Sequence, residues 1–361
     1  MTTKDFFELP IEELGQILEE EFETPSYRAR QLYDWVYKKQ SRDFSEMLNI
    51  GKDLRPKLAE YFEFRQIPIL KRELSQDGSR KYLFEMDKGD AVESVIVKQT
   101  RRTTLCISSQ VGCAMKCAFC RTGMMGFIRN LNASEMVRQV LGVIEDSKSF
   151  GDEFQNIVFM GMGEPLHNIK NVKKALKILT SHYGLSIPPR KITVSTAGLV
   201  PAIKDLSSDG YLASLAVSLN ATTNEVRSSI MPINKKYPIE ELLEALKNYP
   251  LSGRRKITIE YVLIAGVNDK EEDLKMLPKL LHGIPCKVNL IPYNENAGLA
   301  FKSPSKNEVD RWYRTLCSKG IDVTIRWSKG QDINAACGQL ATAINRDSGS
   351  LRPRRNFQEG T

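Results

Sequence analysis

Cysteines at 113, 117 and 120 place three thiols on one short stretch, Cys113-Ala-Met-Lys-Cys117-Ala-Phe-Cys120, soon after the apolar run Leu105-Cys106-Ile107. Thiolates separated by three and two residues suit a soft metal ion or an iron–sulfur cluster. A structural zinc site brings a fourth Cys or His at similar spacing, and none stands nearby. His167 lies far downstream, and Cys106 sits on the preceding apolar run. Three ligands on a four-iron cubane leave one iron open to a substrate. Lys116 and Arg121 make a poor core segment, which tells against three buried structural thiols.

Further polar residues fall where apolar runs end. Gly161-Met162-Gly163-Glu164-Pro165 follows residues 157–160, Ser195 closes 191–195, Ser218-Leu219-Asn220 closes the next run, and Asn294 follows Ile291-Pro292-Tyr293. Glycine lets a backbone approach a ligand closely, yet each feature alone is an ordinary turn or cap. His167 reads as a loop residue. Cys106, Cys286 and Cys317 read as small buried hydrophobes. Cys337 stands before Gly338, which favours a mobile or tightly turned backbone. Its thiol is a nucleophile only if its pKa is lowered. Glu93, among Val92, Val95 and Val97, reads as a strand residue on the solvent face.

These groups need a frame. Short apolar strands at 104–109, 157–160, 191–196, 212–219, 257–264, 286–292 and near 321–327 alternate with helical stretches at 133–146, 168–182, 238–248, 269–281 and 306–319. The first helix opens with Asn132-Ala-Ser-Glu135, a capping box. The alternation predicts an α/β fold of parallel strands, in which ligands meet the C-terminal strand ends. Upstream, 80–86 and 91–98 alternate around Asp87-Lys88-Gly89-Asp90, a hairpin. Ile11, Leu14, Ile17 and Leu18 share one helix face, and Thr24-Pro25-Ser26 breaks that helix. Residues 27–39 interleave Tyr27, Tyr33, Trp35 and Tyr37 with Arg28, Arg30, Lys38 and Lys39. They read as an amphipathic helix, aromatics inside, whose basic face suits an RNA backbone. The expected division is a small helical accessory domain with the start of the hairpin over 1–88, a core over 89–345, and a polar disordered tail over 346–361.

The combination resembles a known group. C-x-x-x-C-x-x-C after a strand is similar to the signature of radical S-adenosylmethionine (SAM) enzymes. Leu105-Cys106-Ile107-Ser108-Ser109-Gln110-Val111-Gly112, Gly161-Met162-Gly163-Glu164-Pro165 and Ala335-Ala336-Cys337-Gly338-Gln339-Leu340 resemble the RlmN/Cfr group of RNA adenine methyltransferases over residues 20–345. The resemblance implies a partial (β/α)6 barrel of the radical SAM type with an N-terminal RNA-binding helical domain. It implies one [4Fe-4S] cluster on Cys113, Cys117 and Cys120, and SAM held by Gly163, Glu164, Ser195, Ser218, Leu219, Asn220 and Asn294. Asn220 departs from the pattern, since many relatives have His there.

The implied reaction methylates carbon 2 of adenosine in 23S rRNA at the peptidyl-transferase centre, and in tRNA just 3′ of the anticodon, using two SAM per turnover. Carbon 2 lies between two ring nitrogens and is too electron-poor for ordinary methyl displacement. By resemblance, Cys337 takes a methyl group from one SAM, and the reduced cluster cleaves a second to a 5′-deoxyadenosyl radical. That radical removes hydrogen from the S-methyl group, and the carbon radical adds to the ring. Glu93 removes the ring proton, and Cys106 attacks the Cys337 sulfur, leaving a transient disulfide. The base must leave its stack to be reached. A Cfr-like reaction at carbon 8 is the near rival, against which Ile291-Pro292-Tyr293-Asn294 and Met231-Pro-Ile-Asn-Lys-Lys look more like the carbon 2 branch. A non-catalytic metal-binding RNA module is the remote one. It has no need for Cys106, Cys337 and a SAM loop together.

Composition agrees. A formal charge of +8 on 361 residues suits an acidic partner such as RNA. Seven cysteines, three of them clustered like metal ligands, do not suggest a disulfide scaffold. No apolar run spans a bilayer, and the start lacks the apolar core of a signal peptide. The expectation is a cytoplasmic monomer, away from membranes, served by a cellular reductant for cluster and disulfide.

Overall fold

The computed structural model describes residues 3–342 except Arg101, Tyr211, Ser252 and Ala297. The expected tail at 346–361 and the last core residues, 343–345, lie outside the described residues. Ten strands form one sheet in chain order: β1 (Ile69–Leu74), β2 (Arg80–Glu85), β3 (Ala91–Gln99), β4 (Arg102–Cys106), β5 (Asn156–Phe159), β6 (Ile192–Thr196), β7 (Ser214–Ser218), β8 (Ile257–Leu263), β9 (Cys286–Pro292) and β10 (Val323–Ile325). From β4 to β10 every neighbour is parallel. The expected hairpin, β2 with β3, joins this sheet antiparallel through β4, and β1 extends it at the far edge.

Alternation along each strand sorts side chains between the two faces. On β6, Ile192, Val194 and Thr196 are buried, while Thr193 and Ser195 are only half-buried. Helices Ala133–Lys148, Ile169–Thr180, Ile239–Lys247, Glu271–Leu280 and Lys306–Ser318 connect the strands as the periodicity predicts. Asn132 caps the first of them, with Glu135 completing the box. Two helices, Val200–Leu206 and Asn224–Ile230, were not legible. At seven residues each, they are too short to establish a face.

The N-terminal helices Ile11–Phe22, Arg28–Tyr33 and Leu54–Tyr61 close around Phe6, Phe7, Tyr33, Tyr37, Phe44 and Phe62, all buried. Residues 28–38 form a continuous helical run whose hydrogen bonding changes partway. An α segment ends at Tyr33 and a wider π turn carries Asp34–Lys38. Tyr33 and Tyr37 pack inside, but Tyr27 is exposed and Trp35 half-buried with Lys39 over its ring at 3.6 Å. Glu8 and Arg138 tie this unit to the barrel. Ser134 N–H donates to Glu8 Oε2 (2.7 Å), and Arg138 donates to Gln66 O (2.8 Å).

After β10 the chain forms a strap over residues 328–341 with little regular structure. It is pinned on one side to the turn before β2, where Gly330 N–H donates to Asp77 Oδ2 (2.8 Å) and Ser75 Oγ to Asp332 Oδ1 (2.6 Å). On the other side it meets the triple-cysteine loop. Arg121 N–H donates to Gly338 O (2.9 Å), and Thr122 Oγ1 to Leu340 O (2.6 Å). The strap carries Cys337 across the strand ends. Among the described residues no helix is long and apolar enough to cross a membrane.

Candidate active site

The three-cysteine loop is shaped by its glycines. Gly112, just before Cys113, has φ +72°, and a Cβ there would lie 1.8 Å from Gly126 O. Only glycine fits. Cys113 N–H donates to Gly126 O (2.9 Å), Ala118 N–H to Ile230 O (2.9 Å) and Cys120 N–H to Cys117 O (3.1 Å). All three cysteines line one cavity of about 990 Å³, open on one side to solvent. Burial raises all three thiol pKa values, Cys113 to about 12, although Arg227 pulls Cys117 back. Such thiols surrender their protons to iron. Among the described residues no three His, Cys, Asp or Glu side chains close on a point as for a lone ion. An all-sulfur set spread along one wall fits a cubane cluster, which is wider than an ion.

Facing the thiols, Gly161 and Gly163 let the loop after β5 lie close to residues 107–110. A Cβ on Gly163 (φ +101°) would come 2.5 Å from Gln110 Cβ, and one on Gly161 2.7 Å from the Ile107 carbonyl carbon. Glu164 is buried on the same wall. Its Oε2 accepts from Ala197 N–H (2.7 Å) and its Oε1 from Leu166 N–H (3.0 Å). Burial pushes this carboxyl up to about 7 against those hydrogen bonds. Ser195, Ser218, Asn220 and Asn294 line the cavity too. Asn220, at φ +58°, accepts from Val262 N–H (2.8 Å) through Oδ1. Asn294 donates to Cys337 O (3.1 Å) and accepts from Gln331 Nε2 (3.0 Å), so it also holds the strap.

Two implied residues stand elsewhere. Leu219 is buried in the hydrophobic core and does not line the cavity. Its N–H donates to Glu260 O (3.1 Å), and its carbonyl accepts from Arg227 Nε (3.0 Å). Glu93 is not on the solvent face that alternation suggested. It is buried, 3.2 Å from Lys81 Nζ, and accepts from Ala341 N–H (3.0 Å), behind the strap and off the cavity wall. Burial raises its pKa and Lys81 pulls it back.

Cys337 is exposed, and Gly338 (φ +80°) turns the backbone after it. It lines the large cavity and also a second, narrower one that contains Cys106 at the end of β4. Both are free thiols. Burial raises the Cys106 pKa to about 12, with Cys337 adding to the rise and Arg326 opposing it. Cys337 is also raised although solvent reaches it, because protein walls surround most of the thiol. Arg326 again opposes, while Glu260 and Cys120 reinforce the rise. Cys286 and Cys317 depart from expectation: Cys286 is half-buried and Cys317 exposed on its helix. His167, expected in a loop, lies in the short 3-10 helix Pro165–Asn168, with its Nδ1 2.9 Å from Gln110 Nε2.

Two residues around the site had no sequence signal. Arg227, fully buried, donates to Leu219 O, Ala197 O and Ser218 O at 3.0, 2.7 and 3.1 Å, drawing the ends of β6 and β7 together. Glu260 lines the cavity with Oε1 accepting from Asn289 (2.9 Å) and Oε2 buried without a partner. The fold, not any local pattern, brings both to the strand ends.

A parallel sheet with three thiols, a glycine turn and a buried carboxyl at its strand ends defines the radical SAM class. The Radical SAM superfamily model matches residues 107–277, and the model for the ribosomal RNA large subunit methyltransferase N-terminal domain matches residues 4–64. The chain belongs to the RlmN family of radical SAM methyltransferases. It is 52% identical over 314 residues to a dual-specificity RNA methyltransferase RlmN of Geobacter sulfurreducens, covering 87% of this chain and 86% of that one. A relative of the same name from Campylobacter concisus is 46% identical over 350 residues, with 93% and 91% covered. The crystal structure of a radical SAM methyltransferase from Sphaerobacter thermophilus superposes with a TM-score of 0.86 at 41% identity, covering 93% of this chain and 99% of that one. The family brings a [4Fe-4S] cluster and SAM, and the cysteine wall and glycine turn fit both.

Proposed function

We propose that this chain methylates carbon 2 of an adenosine in 23S rRNA and of one in tRNA. The relatives' shared description as dual-specificity RNA methyltransferases supports the two substrates, and carbon 2 is the RlmN position. The observation that carries the reading is Cys337, one thiol on the walls of both the cluster cavity and the cavity of Cys106. A methyl carrier has to meet its methyl source on one side and a second thiol on the other.

Cys113, Cys117 and Cys120 hold the cluster, and Gly163, Glu164, Ser195, Ser218, Asn220 and Asn294 surround SAM, of which two are used per turnover. The bound cluster and SAM supply radical chemistry that reaches a carbon too electron-poor for displacement. Cys337 gives up its proton to take the methyl group, and the Arg326 charge offsets the thiolate. Glu93 accepts the ring proton once the strap frees its carboxylate from Ala341 N–H. Cys106 then closes a disulfide with Cys337, which a cellular reductant reopens in the cytoplasm. Residues 1–88 serve as the RNA-binding accessory domain, and the enzyme works as a monomer.

The test is anaerobically reconstituted protein with SAM, a reductant and unmodified 23S rRNA or tRNA, followed by mass spectrometry of the nucleosides. 2-Methyladenosine that vanishes with Cys337→Ala supports the reading. 8-Methyladenosine moves the enzyme to the other ring position. No methyladenosine from a cluster-loaded enzyme that cleaves SAM overturns the substrate.

A further inference from the structure

The cavities meet at Cys337, but only the larger one has its occupant assigned. The narrower one opens beside Trp327, whose side chain is 49% exposed. No aromatic ring or cation covers that indole among the described residues. A single exposed tryptophan is ordinary on a surface, but this one stands at the rim of a cavity holding two thiols and offers a flat face for stacking. Its flanks indicate the charge of what does. Arg326 before it and Lys329 after it both line the cavity, and neither has a side-chain hydrogen bond or ion pair among the described residues. Two nearby carboxylates are engaged: Asp77 accepts from Gly330 N–H (2.8 Å), and Asp332 from Ser75 Oγ (2.6 Å) and Gln76 N–H (3.0 Å), while Glu260 acts on Arg326 from the wall of the large cavity. The rim is an open aromatic face between two cations, Lys329 and an Arg326 whose charge also acts on Cys106, Cys337 and Glu260.

We propose that the Trp327 rim is the port through which the substrate RNA reaches Cys337, with an unpaired base stacked on the indole and its phosphates met by Arg326 and Lys329. This rests on the RNA methyltransferase reading above and adds the side of approach: cofactor through the large cavity, base through the small one. Stacking on an aromatic platform tolerates any base, so one residue can serve both an rRNA and a tRNA strand. Cations beside it bind the backbone without reading sequence.

Two measurements test it on cluster-loaded, full-length protein. In steady-state methylation, Trp327→Ala should raise KM for RNA roughly tenfold, and Trp327→Phe should recover most of that. SAM affinity and iron content stay at the parent values, which a merely structural role would not preserve. The second is fluorescence. In a Trp35→Phe background the only other indole, Trp312, is buried, so titration with a hairpin RNA carrying an unpaired adenosine should quench Trp327 emission. Adding Trp327→Phe should abolish the quench. An RNA KM unmoved by Trp327→Ala, or emission indifferent to the RNA, overturns the port. If the parent enzyme methylates no RNA, the reading of the function fails, and the emission titration still decides this one.

Discussion

The two sets of cysteines proposed to work in the reaction are assembled by different means. Cys113, Cys117 and Cys120 sit on one loop whose turns are set by near neighbours, among them Gly112 and its contact with Gly126. Cys106 and Cys337 share a cavity only because the strap crosses back from β10 toward β4. Side-chain and backbone hydrogen bonds from Ser75, Asp77, Thr122, Asn294 and Glu93 hold that strap, each of them replaceable by water. Cluster ligands must keep their places throughout turnover. A thiol that serves two cavities needs a mount that can shift.

That contrast can be broken experimentally. The largest effect belongs to the loop: Cys113→Ala should strip the cluster, leaving protein without iron or visible absorbance and with no activity. Cys337→Ala and Cys106→Ala should abolish methylated RNA as completely while iron per chain and SAM binding persist. Cys106→Ala should still accumulate a methyl group on Cys337, read by mass spectrometry of the peptide. Loss of iron in either variant would erase the distinction. Gly163→Ala forces a Cβ 2.5 Å from Gln110 in a left-handed conformation, and displacement on that scale should raise KM for SAM roughly tenfold or more. Asp332→Ala removes two strap contacts and should slow turnover by about fivefold with iron unchanged.

The smallest effect concerns pH. Burial raises the Glu93 pKa and Lys81 holds it down. Glu93 must be ionised to accept a proton, so activity falls as pH drops through its pKa. Lys81→Met removes the restraint, the pKa rises, and the acidic limb of kcat/KM should move to higher pH. A limb that stays put, or moves down, would remove Glu93 from the proton transfer.

What could be read from the sequence follows the same division. Local features were legible: the cysteine loop, the glycine turn after β5, the capping box at Asn132, the hairpin of β2 and β3, and the strand–helix alternation. Resemblance carried the pairing of Cys106 with Cys337, which spacing alone leaves as a strand residue and a turn. Three features escaped because they depend on how the chain packs. Arg227 gave no signal, because its short helix was not legible and its three carbonyl partners lie elsewhere in the chain. Glu93 follows a pattern that puts it in water, yet the strap covers that face and Lys81 makes burial tolerable. Cys317 was taken for a core residue on side-chain type alone, and the apolar stripe of its helix, Val309, Trp312 and Leu316, leaves it outside.

The most direct test of the two-cavity account is a single turnover without excess reductant, stopped by alkylation and mapped by peptide. The expected product is a Cys106–Cys337 disulfide that forms only when SAM and substrate RNA are both present, while Cys286 and Cys317 are alkylated as free thiols. Methylated RNA released with Cys106 and Cys337 both alkylated as free thiols would contradict it.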